Sequence, residues 1–173
     1  MTFTKPLRIG LLALLAAHMI TANATPTDSL TPDAAQFIRL TQALEADPLQ
    51  DNAKAIRRWL LNWTNDSKTV TVTVCNIFGP LLEQELPYGP ELLVQSMFGN
   101  AAFQITHPDQ KTTQALTQVA GLESLLKAYE SILTTHPEAH IPYYDDLLKQ
   151  RNAGTLAAFM SSIIAKSCDK HAH

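Results

Sequence analysis

Two histidines four residues apart have a spacing with which proteins often present metal ligands. In His136-Pro137-Glu138-Ala139-His140, both imidazoles would point to one metal ion if the helix were continuous. Pro137 follows the first histidine at a predicted helix end, however, and it interrupts the turn that such a pair needs. The pattern favours a helix terminus, with His136 near the negative end of the helix dipole. His136 and His140 are therefore only weak metal candidates.

Residues 168–173 hold three more side chains that can bind a metal, namely Cys168, His171 and His173. A cysteine in a disulfide is not available to a metal, and two histidines at a chain end bind one only weakly. Asp169–His173 is therefore predicted to be a frayed, solvated tail. No cofactor is predicted, since the chain also has no Gly-rich phosphate loop.

Asp145 and Asp146 have the residue type that glycoside hydrolysis uses. Neighbouring carboxylates on a helix diverge by about 100°, whereas that chemistry needs two carboxylates that face each other. The two acids more simply complement the positive end of a helix that begins at Pro142. The chain has no G-x-S-x-G motif, and Cys75 has no histidine nearby in sequence. We therefore assign no catalytic residue.

Aromatic residues are the remaining candidates for a binding surface. They suit a groove between helices that takes a peptide, a lipid tail or a sugar, although most aromatic side chains simply fill a core. The candidate ligand-binding residues are Tyr88, Trp59, Trp63, Tyr143 and Tyr144. The tyrosines among them lie in or beside proline turns, where side chains are more often exposed.

Prolines and capping residues divide the chain into about six to seven helices with short loops. Thr31-Pro32-Asp33, for example, combines an N-cap, a proline at the first helical position and an acid in the first turn. The predicted helix starts are Thr31, Asp51 or Asn52, Pro90, Pro108, Pro142 and Thr155. The helix from Pro108 is predicted to be the longest, ending near Thr135. The fold class is therefore all-α, a compact domain, with a helical-hairpin or repeat-like arrangement as the alternative.

Thr69–Cys75 is the one ambiguous stretch. Its alternating, β-branched residues are typical of a strand, but no second strand-like run exists to pair with it. Apolar residues of the same region also share one helical face; they are Val70, Val74, Ile77, Phe78, Leu81 and Leu82. We predict a helix that ends at Gly79-Pro80, with a strand as the alternative.

The helix from Pro90 is predicted to be the most buried one. Its apolar residues cover more than half of its circumference; they are Leu92, Leu93, Met97, Phe98, Ala101, Ala102 and Ile105. Gly99 lies within it and costs about 1 kcal/mol of helix stability relative to alanine. Its presence therefore predicts a close contact with another helix.

The N-terminus has the pattern of a cleavable signal peptide. Lys5 and Arg8 precede an apolar run over residues 9–20, and Thr21-Ala22-Asn23-Ala24 offers a small-residue cleavage site. The run is too short to span a bilayer, so no stable membrane insertion is expected after cleavage. We predict a signal peptide over residues 1–24 and a single helical domain over residues 25–173, exported to a bacterial periplasm or secreted.

The two cysteines of the chain, Cys75 and Cys168, are expected to form a disulfide, because an oxidising compartment favours pairing. Two buried free thiols are the alternative. The bridge would connect the last helix to the middle of the chain.

Composition limits the class of partner. The 173 residues carry 13 basic and 16 acidic side chains, a formal charge of −3, and no basic cluster occurs. A nucleic-acid partner is therefore not expected. A hydrophobic share of 46% is sufficient for a domain with a real core.

Together these patterns favour a non-catalytic binding or protein-interaction module. Its partner would be an unknown protein, or a peptide, lipid or other small apolar ligand in a groove between helices. The alternative is a small exported hydrolase or metal-handling protein whose site forms only on folding. That site would use His107, His136, His140, Asp145 and Asp146.

Overall fold

The computed structural model describes Met1, residues 30–82 and residues 85–168. The predicted signal peptide, apart from Met1, and the tail Asp169–His173 lie outside these ranges. The described part contains six α-helices and no strand, which confirms the all-α prediction. The helices are α1 (Pro32–Ala46), α2 (Ala53–Asp66), α3 (Gly89–Thr106), α4 (Gln114–Thr135), α5 (Pro142–Asn152) and α6 (Leu156–Cys168). Short 3-10 helices lie at Gly79–Leu82 and Pro137–Ala139. None of the described helices is both long and apolar enough to cross a membrane.

The start of α1 was predicted correctly. The Thr31 hydroxyl accepts a hydrogen bond from the Ala34 amide at 3.2 Å and thereby caps α1. The start of the longest helix was predicted wrongly, because α4 begins at Gln114 rather than at Pro108. Two successive turns fill the intervening stretch, with amide donors at Gln110 and Thr113. These turns let the chain reverse, so that α3 and α4 pack as a hairpin.

The α3–α4 contact is unusually close because a glycine faces it from each helix. A Cβ atom at Gly99 would lie 2.2 Å from the Cβ atom of Ser124, and one at Gly121 would lie 2.6 Å from the Ser96 carbonyl oxygen. The close contact predicted at Gly99 is confirmed, and Gly121 was not foreseen. α3 packs against α1, α2 and α4, as expected for the most buried helix.

Apolar side chains form two cores. The N-terminal core consists of Phe37, Leu44, Ala53, Ile56, Leu60, Val70, Phe98 and Ala101. The C-terminal core joins α4, α5 and α6, and includes Cys75, Ile77, Leu122, Leu125, Leu126, Tyr129, Tyr144, Leu147 and Met160. α3 contributes to both cores, through Phe98 to the first and Leu92 to the second. Buried polar residues were not predicted; they include Gln95, Asn100 and Gln104 on α3, and Gln118 and Ser124 on α4.

The predicted helix over Thr69–Cys75 is wrong, and the strand alternative is not formed either. We call residues 69–78 the extended segment: they form neither a helix nor a strand, and over residues 69–73 exposed threonines alternate with buried or half-buried valines. The Gln104 side chain accepts a hydrogen bond from the Thr71 amide at 3.0 Å and donates one to the Thr71 carbonyl at 2.8 Å. Gln118 Nε2 donates to the Thr73 carbonyl at 2.6 Å. Side-chain amides thus replace the neighbouring strand that the sequence lacks.

The predicted disulfide between Cys75 and Cys168 is confirmed. The two sulfur atoms lie 2.00 Å apart, and the bridge joins residues 93 positions apart in the chain. It connects the extended segment to the end of α6.

Candidate functional site

A groove of about 570 Å³ lies between the first turns of α1 and the second half of α2. We name it the tryptophan groove, and it is defined by Asp33, Gln36, Trp59, Asn62, Trp63 and Asp66. The first residues of the loop after α2, including Lys68 and Thr69, complete its lining. Its volume is within the usual range of small-molecule sites.

The helix geometry of α2 presents both tryptophans to this groove. Trp59 and Trp63 are four residues apart and therefore lie on one face, one turn from each other. The Trp63 ring packs on Phe37, with ring centroids 4.5 Å apart, and Phe37 is fully buried in the N-terminal core. Both indoles are half-buried, so each has one side held by the core and another open to the groove. The structure thus brings together two of the five predicted binding residues.

The rim of the groove is polar. Asp33 and Gln36 come from α1, Asn62 and Asp66 come from α2, and Lys68 follows α2. These side chains can both donate and accept hydrogen bonds. Sequence reasoning missed this role for all of them. The spacing of Asn62 and Asp66, each three residues after a tryptophan, was the available signal for the α2 members.

Tyr143 and Tyr144 do not line the tryptophan groove, and both hydroxyls bond to the extended segment. The Tyr143 hydroxyl donates to the Ile77 carbonyl at 2.8 Å, and the Tyr144 hydroxyl donates to the Phe78 carbonyl at 3.1 Å. Burial raises the pKa of both phenols above the ordinary value. Tyr144 is fully buried, so a ligand cannot reach it. Both tyrosines attach α5 to the extended segment.

Tyr88 lies outside the tryptophan groove. It precedes α3 in a left-handed conformation, with φ of 58°. Its half-buried ring lies beside His136, with ring centroids 5.3 Å apart. Tyr88 therefore belongs to the surface where α4 ends.

The hydrolase or metal-handling alternative would use five residues, and the structure brings two of them, His140 and Asp145, into contact. His140 Nδ1 lies 3.1 Å from a carboxylate oxygen of Asp145, which also accepts a hydrogen bond of 2.7 Å from Tyr129. Burial raises the pKa of Tyr129 well above the ordinary value. The His140 side chain is itself 59% exposed.

The other residues of that alternative have separate partners. His107 stacks on Phe103, with ring centroids 4.4 Å apart, and His136 lies 3.3 Å from Glu138. Asp146 pairs with Lys149 at 2.7 Å. Within the described ranges, no group of three or more His, Cys, Asp or Glu side chains is placed to hold a metal ion.

The described residues thus form an all-helical domain with a groove that two tryptophans line and polar side chains surround. Compared with known proteins, the chain matches no protein-family model, no curated protein and no solved structure.

Proposed function

We propose that the protein is a non-catalytic binding module whose ligand occupies the tryptophan groove. The observation that carries the proposal is the pair of half-buried indoles, Trp59 and Trp63, which line one groove together with amide and carboxylate side chains. Side chains that are already held by a core lose little further freedom when a ligand binds, so less binding energy is spent on ordering them. Among the residues that the structure describes, the lining contains no Ser, Cys or Lys paired with a histidine that would act as an activated nucleophile, and its amide and carboxylate groups suit recognition by hydrogen bonds.

The chemistry of the groove favours a saccharide fragment among the ligand classes considered. The flat C–H face of a sugar ring packs on an indole, and its hydroxyls meet groups such as Asp33, Gln36 and Asn62. A lipid tail would instead desolvate the carboxylates of Asp33 and Asp66 and give them no hydrogen bond, which is costly. We therefore narrow the sequence-based prediction of a small apolar ligand to one with an apolar face and a hydroxylated edge.

We further propose that the protein acts outside the cytoplasm, in a periplasm or as a secreted protein. The signal-peptide pattern over residues 1–24 supports this location. The Cys75–Cys168 bridge supports it as well, because disulfides persist mainly in oxidising compartments.

The test is a fluorescence titration, because Trp59 and Trp63 are the two tryptophans of the whole chain. We expect a panel of soluble oligosaccharides to include one that shifts the emission in a saturable way. Asn62→Ala should then weaken binding by about tenfold, the effect of losing one or two hydrogen bonds. Asn65→Ala is the matched control: Asn65 is exposed on the same helix and does not line the groove.

Three outcomes would contradict this proposal. If no oligosaccharide gives a saturable change, the saccharide assignment is wrong. If Asn62→Ala and Asn65→Ala bind equally, the ligand lies elsewhere. If benzyltrimethylammonium binds and sugars do not, the ligand is a cation held by the indoles and the acids of the rim.

The hydrolase or metal-handling alternative is supported by one contact, the pair of His140 and Asp145. An aspartate that orients a histidine is a common feature of general-base sites. A stoichiometric transition metal that is lost in His140→Ala would favour this alternative over the binding module.

A further inference from the structure

The extended segment is bound to the α3–α4 hairpin along one edge of its backbone. Thr71 bonds to Gln104 through both its N–H and its C=O group, at 3.0 and 2.8 Å. The Thr73 carbonyl accepts a hydrogen bond of 2.6 Å from Gln118. The backbone polar groups of these two threonines therefore face α3 and α4.

The opposite edge of the segment consists of the backbone groups of Val72 and Val74. In an extended chain the polar groups of successive residues point to opposite sides, so those of the two valines point away from the hairpin. Within residues 30–82 and 85–168, no backbone or side-chain group forms a hydrogen bond with them. Val74 is 38% exposed, and Val72 is half-buried. We name these N–H and C=O groups the outer edge.

The sequence of the segment contains no feature that protects this edge from pairing. Residues 69–78 have no charged side chain and no proline, which are features with which natural proteins block an open edge. Thr69-Val70-Thr71-Val72-Thr73-Val74 is β-branched throughout, and this favours the extended conformation that a ladder needs. Short segments with high β-propensity, no charge and no proline are typical of strands that pair with another chain.

We propose that the outer edge pairs with the outer edge of a second copy of this chain in an antiparallel ladder. The twofold axis of this dimer passes beside Thr73. Val72 then lies opposite Val74 of the second copy, and each such pair exchanges both of its N–H···O=C hydrogen bonds. The backbone groups that have no partner within one chain thereby all receive one.

The register of the ladder follows from burial. An axis beside Val72 would also require pairing through Val70, which is only 7% exposed. An axis beside Thr73 uses the more exposed valines, and it places two exposed threonine side chains opposite each other as a non-hydrogen-bonded pair. Threonine pairs across neighbouring strands are favourable.

A second copy fits the outer edge both in charge and in space. Because residues 69–78 carry no charge, no like charges face each other when the same segment lies on both sides. Because the outer edge points away from α3 and α4, the two hairpins lie on opposite sides of the ladder and do not compete for the same space. The ladder is short, so we expect a weak dimer that dissociates on dilution.

The test is sedimentation velocity on the full chain at concentrations up to about 1 mM, a range that detects weak dimers. We expect the dimer fraction of the wild type to rise with concentration. Thr73→Lys should weaken the dimer by about fivefold or more, because two ammonium groups face each other across the axis. Thr73→Glu should weaken it to a similar extent, and an equimolar mixture of both variants should restore it. Thr112→Lys is the matched control: Thr112 is exposed, lies outside the segment and gains the same charge.

Hydrogen exchange followed by NMR locates the contact. The amides of Val72 and Val74 should exchange more slowly as the protein concentration rises, since they gain partners only in the dimer. The Thr71 amide is the internal control, because Gln104 already holds it within one chain. Its exchange should not change with concentration.

A wild type that stays monomeric at about 1 mM would overturn the proposal. Equal dimer fractions in Thr73→Lys and Thr112→Lys, or a mixture that fails to restore the dimer, would overturn it as well, because Thr73 would then not lie at the axis. Exchange that slows only outside the segment would place the contact elsewhere. The saccharide titration is a separate test, since it reads the emission of Trp59 and Trp63 at protein concentrations too low for a weak dimer.

Discussion

The α3–α4 hairpin and the extended segment contact each other through Gln104 and Gln118, and they are stabilised in opposite ways. Between α3 and α4, Gly99 and Gly121 bring the helices so close that a methyl group has no room. The extended segment makes no regular hydrogen-bond ladder and depends on side chains from distant parts of the chain. One contact is therefore sensitive to added volume, whereas the other is sensitive to removed polar groups.

Removal of the disulfide should reduce stability most, since the disulfide bonds the extended segment covalently to α6. Replacing Cys75 and Cys168 by alanine should lower the free energy of unfolding by about 4–5 kcal/mol, because the bridge closes a loop with a sequence separation of 93. Urea denaturation of the variant and the wild type measures this difference. Wild type treated with a reductant should lose a similar amount. A loss below about 1 kcal/mol would mean that the noncovalent contacts alone hold the segment.

A methyl group in the hairpin should give the next largest effect. Gly121→Ala should cost about 3 kcal/mol of unfolding free energy, because the new Cβ atom would meet the Ser96 carbonyl oxygen at 2.6 Å. Gly154→Ala is the control: Gly154 has a positive φ of 71° but no atom within 4 Å of an added Cβ. It should cost about 1 kcal/mol, the price of the left-handed conformation alone. Equal losses in the two variants, measured by urea denaturation, would contradict the close contact.

Loss of the Gln104 side chain should reduce stability moderately and mainly within the extended segment. Gln104→Ala removes both hydrogen bonds to the Thr71 backbone, so we expect a loss of about 2 kcal/mol. Hydrogen exchange followed by mass spectrometry should show faster exchange over residues 69–75 and little change in α4. Gln42→Ala, an exposed glutamine on α1, is the control. Uniformly faster exchange across the chain would show that Gln104 supports the whole fold rather than this segment.

The Tyr144 hydroxyl should give the smallest effect, and a pH-dependent one. Tyr144→Phe removes the hydrogen bond to the Phe78 carbonyl, which should cost about 1 kcal/mol at neutral pH. Because burial raises the pKa of Tyr144, the folded protein keeps this proton at a pH where the unfolded chain releases it. Wild-type stability should therefore fall as pH rises above about 10, by about 1.4 kcal/mol per pH unit from this group.

Tyr144→Phe has no phenol to titrate at this position, so its free energy of unfolding should not change with pH on this account. The difference in unfolding free energy between wild type and variant should therefore shrink above pH 10 and vanish near pH 11. Urea denaturation at several pH values measures the gap between the two proteins. A gap that is constant from pH 7 to 11 would show that Tyr144 titrates normally in the folded state.

The parts of the fold that were predicted correctly depend on neighbours in sequence. The start of α1 follows from Thr31, Pro32 and Asp33, which act on the same helical turn. The start of α4 was missed because His107-Pro108-Asp109 is also a helix-start pattern. The turns that replace it serve the reversal of the hairpin, which depends on how α3 and α4 pack.

For the candidate sites, too, the predictions that depend on neighbours in sequence agree with the structure, and those that depend on tertiary packing do not. Trp59 and Trp63 were predicted as binding residues, and their helical spacing places them together in the tryptophan groove. Asp33 and Gln36 could not be assigned to that groove, because they reach it only through the packing of α1 on α2. Tyr143 and Tyr144 were predicted to be binding residues from their turn, but their hydroxyls bond to carbonyls 66 residues away.

The start of α1, the cysteine pair and the all-helical class were thus determined by the sequence itself. Capping residues act within one turn, and a chain with two cysteines allows a single intramolecular pairing. The conformation of residues 69–78 was decided by the tertiary structure. Its β-branched alternation suits an extended chain, but such a chain persists only where its backbone groups find partners. Gln104 and Gln118 provide those partners from two other helices, and neither residue carries a local sign of that role.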